Sequence, residues 1–160
     1  MKDFDITVHV VVKGVNELTD EELRLVESAK EATFRSYSPY SKFSVGAAVL
    51  LDNGVIVTGS NQENCAYPSG LCAERTAIFY ANSQYPSNRV SALCIAARDV
   101  SGAFTTVPIT PCGSCRQVLI ETEKRGGKDI RIMLYGTDAV YFIESARSLL
   151  PVSFDDSFLK

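Results

Sequence analysis

Three cysteines have the residue type and the spacing to hold a metal ion. Cys112 and Cys115 form the segment PCGSC, a C-x-x-C pair at the start of a predicted helix, where residues three apart share one face. On its own this pair is compatible with a metal site, with thioredoxin-like redox chemistry or with simple packing. Cys72 begins a second predicted helix, in the segment GLCAERTAI, and supplies a third candidate ligand.

The number of candidate ligands predicts the kind of metal site. Structural zinc is normally closed by four protein ligands, whereas catalytic zinc keeps one position open for water. No fourth ligand is obvious, because the only histidine, His9, lies in a predicted N-terminal strand, Cys65 lies in a loop and Cys94 lies in a buried strand. The three cysteines of the two helix starts therefore predict one catalytic zinc ion per chain.

Glu74 follows the first of these ligands by two residues and has the chemistry of a proton carrier. Attack of a zinc-activated water on a ring carbon needs a group that accepts the water's proton and gives one to the leaving nitrogen. Two helical residues at this spacing point about 200° apart, so Glu74 and Cys72 converge only if Cys72 lies at the very first turn. A structural cysteine beside a surface glutamate is the alternative interpretation.

The positions of the cysteines also favour their ionised form. Helix N-termini present positive partial charge, which stabilises a thiolate. Three thiolates around Zn²⁺ leave a net charge of −1, so a cation is expected nearby. Arg75 and Arg116 each neighbour a candidate ligand. A helical arginine is more often a solvated surface residue, and we favour Arg75 modestly over that alternative.

Hydrophobic periodicity and turn residues predict the elements that position these groups. Thr19 and Glu22 form a capping box at the start of a helix over 20–36, and Asn53 with Gly54 is typical of a tight turn between two strands. The order of elements predicts an α/β domain in which helices cover a sheet. The other predicted elements are a strand over 4–12, a helix over 72–82, a strand over 89–99, a helix over 112–124, strands within 129–136 and 139–143, and a short helix over 144–151.

Length and composition predict one globular domain over residues 1–160, with residues 1–18 as an extension that contains a strand. The chain is 46% hydrophobic and 22% charged, which suits a substantial core. It has no apolar run long enough to span a bilayer and no signal-peptide pattern. The odd number of cysteines, five, favours a reducing compartment, and we expect a cytoplasmic protein.

Charge predicts the class of partner. The formal net charge is −3, and the lysines and arginines are dispersed rather than arranged in a basic stripe. Binding to a phosphate backbone is therefore not expected, and neither nucleic acid nor a membrane is a predicted partner. A small, weakly charged substrate fits better.

The motifs CAERTA and PCGSCRQ together resemble the zinc-dependent cytidine deaminases, specifically their small homotetrameric three-cysteine type. The segments PYSKFSVGAAVL, GSNQENCAYPSGLCAERTA, PCGSCRQVL and SLLPVSF are similar to family segments in the same order, from about Thr19 to the end of the chain. The resemblance implies a three-layer αβα fold with a mixed sheet. It also implies hydrolytic deamination of cytidine and deoxycytidine to uridine and deoxyuridine, with release of ammonia, in pyrimidine salvage.

The resemblance further implies a role for individual residues. At the metal it implies ligation by Cys72, Cys112 and Cys115, proton transfer by Glu74 and support of the thiolates by Arg75. The implied substrate contacts are ribose binding by Asn61 and Glu63, packing of the pyrimidine on Phe43, a contact with Ala73, and contributions from neighbouring subunits of a homotetramer by Tyr67 and Phe154.

Ordinary structural roles compete with these assignments. Without the resemblance, Phe43 would be interpreted as core, Asn61 and Glu63 as loop polar residues, and Phe154 as a hydrophobic anchor of the C-terminal segment. The chain also departs from the family pattern at two positions. Ser44 stands where many relatives have proline, and Cys65 stands where alanine is common.

Three other functions are compatible with parts of the sequence. A zinc deaminase acting on blasticidin S, a free base or a nucleotide would share the metal motif, but the NQE segment favours a nucleoside and the motifs contain no cationic cluster for a phosphate. A polynucleotide-editing enzyme is disfavoured by the acidic composition and the absence of tryptophan. A structural zinc module that binds a partner would have four ligands and no turnover.

Overall fold

The predicted hairpin at Asn53 and Gly54 lies at one edge of the sheet. In the computed structural model, which describes residues 1–159, it joins strand β2 (Ser44–Leu51) to strand β3 (Ile56–Ser60). Gly54 has a φ angle of +83°, a conformation that glycine adopts without steric cost. This turn sets the register in which Val49 lies opposite Val57.

A six-stranded mixed sheet forms the middle layer, in the order β1-β6-β5-β4-β2-β3. Only β4 and β5 run parallel, and all other neighbours are antiparallel. The mixed sheet predicted from the resemblance is therefore confirmed. The remaining strands are β1 (Val11–Lys13), β4 (Val90–Arg98), β5 (Arg131–Tyr135) and β6 (Val140–Ile143), and the helices are α1 (Asp20–Ala32), α2 (Ala73–Gln84) and α3 (Gly113–Gly126).

The alternation of side chains along β2 divides the core into two halves. Ala47 and Val49 pack toward α2 and α3, whereas Ala48 and Leu50 pack toward α1 on the opposite face of the sheet. Successive strand residues point to opposite faces, so this nearly continuous apolar strand is covered by helices on both sides. The arrangement is the three-layer αβα fold that the resemblance implied.

Helix α1 begins with the predicted capping box. Thr19 accepts a hydrogen bond from the backbone N–H of Glu22, and the Glu22 carboxylate accepts one from the backbone N–H of Thr19 at 2.9 Å. The α-helix ends at Ala32 rather than at Ser36, and a 3-10 turn over Thr33–Arg35 follows. The Thr33 hydroxyl donates to the carbonyl of Lys30 at 2.7 Å, which helps to satisfy the last turn of the helix.

The N-terminal strand is much shorter than the sequence predicts. The alternating pattern predicts a strand over 4–12, but only Val11–Lys13 is a strand, and it pairs with β6 at the edge of the sheet. The neighbouring strand β6 is four residues long, so residues 1–10 have no strand beside them within the described chain. Pairing, rather than side-chain pattern, sets the length of this element.

The C-terminal part of the chain is held by a buried carboxylate. Glu123 of α3 accepts hydrogen bonds from the backbone N–H groups of Ile130 and Ala146, and from the hydroxyl of Ser145. The short helix predicted over 144–151 is a 3-10 turn, Ala146–Leu149, that starts next to this carboxylate.

Shorter 3-10 turns also occur at Val15–Glu17 and Tyr67–Ser69, and another at Asp156–Leu159. None of the helices in residues 1–159 combines the length and apolar character needed to cross a membrane.

Candidate active site and metal centre

Two of the three candidate ligands occupy the same position, the N-cap of a helix. Cys72 precedes α2 with φ −70° and ψ 154°, and Cys112 precedes α3 with φ −67° and ψ 168°. Both residues are in extended backbone conformation, and neither side chain caps its own helix. The two thiols are therefore available for another partner at the positive ends of the helices.

The three thiols converge. Cys72 Sγ lies 3.7 Å from Cys112 Sγ, and the sulfurs of Cys72, Cys112 and Cys115 all lie within 4.8 Å of one another. Two sulfurs that each lie about 2.3 Å from one tetrahedral zinc are about 3.8 Å apart. The spacing and the soft thiol donors thus fit a zinc ion. Within residues 1–159, this is the one group of three or more such side chains close enough to share a metal.

Helix α2 is brought to this position by a close approach to β3. A Cβ atom added at Gly59 would lie 2.7 Å from the carbonyl oxygen of Ala73 and would also collide with the backbone nitrogen of Ala77. The absence of a side chain at Gly59 therefore lets the first two turns of α2 lie directly on the sheet. This packing fixes the height of Cys72 above the sheet.

The cysteine cluster stabilises a thiolate. The hydrogen bond from Cys115, together with those from Arg75 and Cys112, lowers the pKa of Cys72 to about 5, although burial opposes the shift. The same sulfur-to-sulfur contact and burial raise the pKa of Cys115, because one of the two groups retains the proton. The cluster therefore favours the ionised form of Cys72, the form in which cysteine binds a metal.

Glu74 lies beside the cluster in the first turn of α2 and is 5% exposed. Burial raises the pKa of its carboxyl group, and the charge of Cys72 acts in the same direction, while a hydrogen bond from Cys115 opposes them. The sequence interpretation required Cys72 to lie at the very first turn, and its N-cap position meets that requirement. A buried carboxyl group next to three thiols is a group that can hold and release a proton close to the metal position.

Of the two arginines considered from the sequence, the structure brings Arg75 to the thiols. Arg75 Nη2 donates to Cys72 Sγ at 3.5 Å, and its Nε is buried with no hydrogen-bond partner in the described chain. Arg116 instead donates to the carbonyls of Pro111 and Leu149, both at 2.8 Å. Arg116 thus ties the segment before α3 to the C-terminal part of the chain.

A cavity of about 490 Å³ opens next to Cys72. Four other predicted site residues line it, Asn61, Glu63, Tyr67 and Arg75. Sequence reasoning missed the rest of the lining: Tyr40, Ser41, Gln62, Asn64, Gly70 and Leu71. These residues lie inside the segments that resemble the family, but their types carry no chemical signal that distinguishes them from ordinary loop residues.

Asn61 joins the ends of two strands through its side chain. Its Oδ1 accepts from the backbone N–H of Val45 at 2.8 Å and from the Ser36 hydroxyl at 2.6 Å, while Nδ2 donates to the carbonyl of Phe43 at 2.9 Å. These bonds fix the start of β2 against the residue that follows β3. Asn61 therefore positions the backbone around Phe43 in addition to lining the cavity.

Glu63 holds the loop on the other side of the cavity. Its Oε2 accepts hydrogen bonds from the backbone N–H groups of Tyr40 at 2.9 Å and Ser41 at 3.2 Å. The hydrogen bonds of Ser41, with that of Tyr40, lower the pKa of Glu63. The ionised carboxylate thus fixes one wall of the cavity.

Three of the predicted substrate contacts, Phe43, Ala73 and Phe154, lie outside this cavity lining. Phe43 is half-buried, and Ala73 is buried under the first turn of α2. Phe154 is 59% exposed and stacks on Phe158 with 5.6 Å between ring centroids, and its carbonyl accepts from Gln117 of α3. Tyr67 does line the cavity, but its side chain is 77% exposed.

Comparisons with known proteins agree with this site. The sequence profile described as the cytidine and deoxycytidylate deaminase zinc-binding region matches residues 19–126. The cytidine deaminase of Sporosarcina psychrophila is 46% identical over 98 residues, which are 61% of this chain and 67% of that protein. A probable cytidine deaminase of Dictyostelium discoideum is 35% identical over 144 residues, 89% of this chain and 90% of that protein.

A solved structure extends the agreement to the fold. The crystal structure of cytidine deaminase from Burkholderia pseudomallei superposes with a TM-score of 0.71 at 36% identity, over 86% of this chain and 100% of that chain. The profile covers both helix starts that carry the three thiols. The chain therefore belongs to the zinc-binding cytidine and deoxycytidylate deaminase family.

Proposed function

We propose that this chain is a hydrolase that deaminates cytidine and deoxycytidine, giving uridine or deoxyuridine and ammonia, in pyrimidine salvage. The observation that carries this conclusion is the group of three thiols with a buried carboxyl group beside it, at the wall of a cavity of about 490 Å³. Relatives named cytidine deaminase, at 35% to 46% identity, support it.

Cys72, Cys112 and Cys115 would hold one zinc ion. When bound, zinc acts as a Lewis acid that makes water a nucleophile near neutral pH. Three protein ligands leave a position for that water, which a site closed by four ligands would not. The helix N-termini and Arg75 offset the negative charge of the thiolates.

We assign proton transfer to Glu74. Hydrolysis adds water across the amidine carbon of the pyrimidine and expels ammonia, so a proton must move from the water to the ring nitrogen and another to the departing amine. A single buried carboxyl group beside the cluster is able to accept the first proton and return it. The carboxyl group of Glu74 is the acidic side chain next to the thiols in α2.

We assign recognition of the nucleoside to residues around the same cavity. Asn61 and Glu63 would pair with a ribose hydroxyl, and their place in the cavity lining with Cys72 supports this role. Phe43 would pack on the pyrimidine, and the hydrogen bond from Asn61, a cavity-lining residue, to its backbone carbonyl supports this role. Ala73, at the start of α2, would present its backbone to the base.

We also propose a homotetramer with shared active sites, formed from single-domain chains in which residues 1–18 are an extension. The exposure of Tyr67 and Phe154, at 77% and 59%, supports contributions from one subunit to the site of another. A cytoplasmic location is supported by the use of thiols as metal ligands, since reducing compartments preserve them.

The decisive experiment follows the ultraviolet absorbance of cytidine incubated with purified, zinc-loaded protein. Conversion to uridine with stoichiometric ammonia release is expected, and the Glu74→Gln protein is the matched blank. X-ray absorption should find about three sulfur ligands and one lighter ligand at the metal. Four sulfur or nitrogen ligands from the protein, with no turnover, would instead identify a structural zinc module.

A further inference from the structure

The N-terminal segment Asp3–Lys13, DFDITVHVVVK, carries an apolar stripe that remains exposed in the described chain. Its residues alternate, so that one face of an extended strand carries only apolar side chains. This segment also precedes the part of the chain that the family profile matches, 19–126. The stripe consists of Phe4, Ile6, Val8, Val10 and Val12, whose exposed fractions are 82%, 47%, 41%, 40% and 58%.

The last residues of this segment already belong to the sheet and fix its orientation. Val11 lies opposite Phe142 and Lys13 lies opposite Val140, two residues that pack on the α1 side. Lys13 also pairs with Glu22 of α1 at 3.2 Å. The even-numbered stripe that includes Val12 therefore lies on the other face of the sheet.

Strand β1 is an open edge. It is the last strand in the sheet order, and it is bonded to β6 on one side only. An edge strand presents unpaired N–H and C=O groups that can template another strand, and native proteins usually blunt such edges with charge or proline. The segment over 4–12 contains no proline and its one acidic residue is Asp5, while Lys13 at the end of β1 is paired with Glu22 of α1. Its edge is therefore suited to pair with a further strand.

We propose that Asp3–Lys13 pairs antiparallel with the same segment of a second copy of this chain, in a two-fold register centred on Val8. The sequence is self-complementary in that register. On the apolar face, Phe4 meets Val12, Ile6 meets Val10, and Val8 meets its own copy. On the other face, Asp3 meets Lys13, Asp5 meets Val11 and Thr7 meets His9, so opposite charges lie across from each other at both ends.

Neighbouring registers are poorer. A shift of one residue places the apolar stripe of one copy against the polar positions of the other. A shift of two residues, centred on Thr7, places Ile6 opposite Val8 and Phe4 opposite Val10 but leaves Val12 opposite Lys2. The Val8 register alone pairs every member of the apolar stripe with another member. The resulting contact is isologous, as a two-fold interface requires.

Disulfide trapping in the zinc-loaded full chain tests the register. All variants carry Cys65→Ser to remove an exposed thiol outside the metal cluster. Phe4→Cys and Val12→Cys chains, distinguished by a size tag, are coexpressed and mildly oxidised. The cross-linked heterodimer is expected at ten or more times the level of either homodimer, because two Phe4 positions are about 26 Å apart in this register and disulfides need Cα atoms within about 7 Å.

Single-site variants discriminate the register further. Val8→Cys should form a homodimer, whereas Thr7→Cys should form less than a tenth as much. More cross-linking of Thr7→Cys than of Val8→Cys, equal cross-linking of both, or no mixed dimer from the coexpressed pair would overturn the proposal. Cytidine deamination by the same samples is measured separately, and its loss or retention does not bear on the pairing.

Discussion

Cys72 Sγ and Cys112 Sγ lie 3.7 Å apart although 40 positions separate them in the chain. Each residue is the N-cap of a helix, and the two helices lie on the same face of the sheet. A metal bound between them therefore joins α2 to α3. Removal of one ligand should affect metal retention and the packing of the helix starts together.

The first prediction concerns this ligand set. Cys112→Ala should lower both the zinc content and the activity, because a site with three protein ligands has none to spare. Elemental analysis of the purified protein measures the first effect and the cytidine assay the second. The control is Cys65→Ser, because Cys65 is exposed and lies outside the cluster. This variant should retain one zinc per chain. Full zinc retention by Cys112→Ala would contradict the ligand assignment.

The second prediction separates proton transfer from metal binding. Glu74→Gln preserves the shape of the buried side chain but removes the group that accepts and returns a proton. Its zinc content should equal that of the parent protein, while kcat should fall by at least ~10²-fold, the usual scale for general acid–base catalysis. The exposed Glu121→Gln on α3 is the matched control. Turnover within a few-fold of the parent would remove Glu74 from the mechanism.

The third prediction concerns assembly. A chain that ends before Pro151 lacks Phe154, the aromatic residue we assign to a neighbouring subunit's site. Its apparent KM for cytidine should rise even if the chain folds. Phe154→Ala in the full chain should reproduce the effect, and Phe158→Ala, which alters its stacking partner, is the control. Light scattering should find a tetramer for the parent protein, and a fully active monomer would contradict the shared site.

The fourth prediction follows from the pKa of Glu22. Burial alone would raise this pKa, but the hydrogen bond from the Thr19 backbone and the ion pairs with Lys13 and Arg131 outweigh it, so the pKa lies below its ordinary value of 4.5. A carboxyl group with a lowered folded-state pKa stabilises the protein above the ordinary value, and this contribution is lost as pH falls through the folded pKa.

Urea unfolding of Glu22→Gln at several pH values measures that contribution. The variant should be less stable than the parent near pH 7, and the difference should shrink as pH falls below about 4. Glu21→Gln, an exposed neighbour that also faces Arg131, should show a much smaller effect. An unchanged difference between parent and Glu22→Gln across this range would show that the ionised form is not favoured in the folded protein.

Local signals in the sequence predict the elements well where a specific residue enforces them. Thr19 with Glu22, and Asn53 with Gly54, act within a few residues, and both features occur where predicted. The predicted strand over 4–12 is longer than the observed one. An alternating pattern shows only that a segment can form a strand, whereas the strand forms only where a neighbouring strand is present to pair with it. The neighbouring strand here is β6, and its four residues set the length of β1.

In the site too, features set by local residues are predictable and features set by distant contacts are not. The three cysteines are predictable because few residue types bind zinc and their spacing at helix starts is local. Arg75 and Arg116 are not separable by spacing, since each lies within four residues of a candidate ligand. The carbonyl of Leu149, which is 33 positions away, draws Arg116 away from the thiols. The sequence around Arg116 does not predict such a long-range contact.

The last prediction concerns what Glu63 recognises. Its Oε2 already accepts hydrogen bonds from the backbone N–H groups of Tyr40 and Ser41. Glu63→Ala would therefore loosen a wall of the cavity and also remove a ribose partner. Glu63→Gln separates the two roles, because the amide oxygen can still accept both N–H groups while the negative charge is lost. The comparison of these two variants therefore isolates recognition of the sugar.

The measurement is kcat/KM for cytidine, cytosine and CMP with the parent protein and both variants. In the parent, cytosine should be poorer than cytidine by up to ~10⁴-fold, because the polar groups built to pair with a hydroxyl would remain unpaired. CMP should also be poor, since Arg75 is the only cationic residue in the described cavity lining and it is engaged with Cys72. Glu63→Gln should have a lower kcat/KM for cytidine and a smaller ratio of kcat/KM between cytidine and cytosine. Glu63→Ala should change both values in the same direction, with a larger loss of kcat/KM for cytidine. Equal parent values for cytidine and cytosine would overturn the ribose assignment while leaving the zinc chemistry intact.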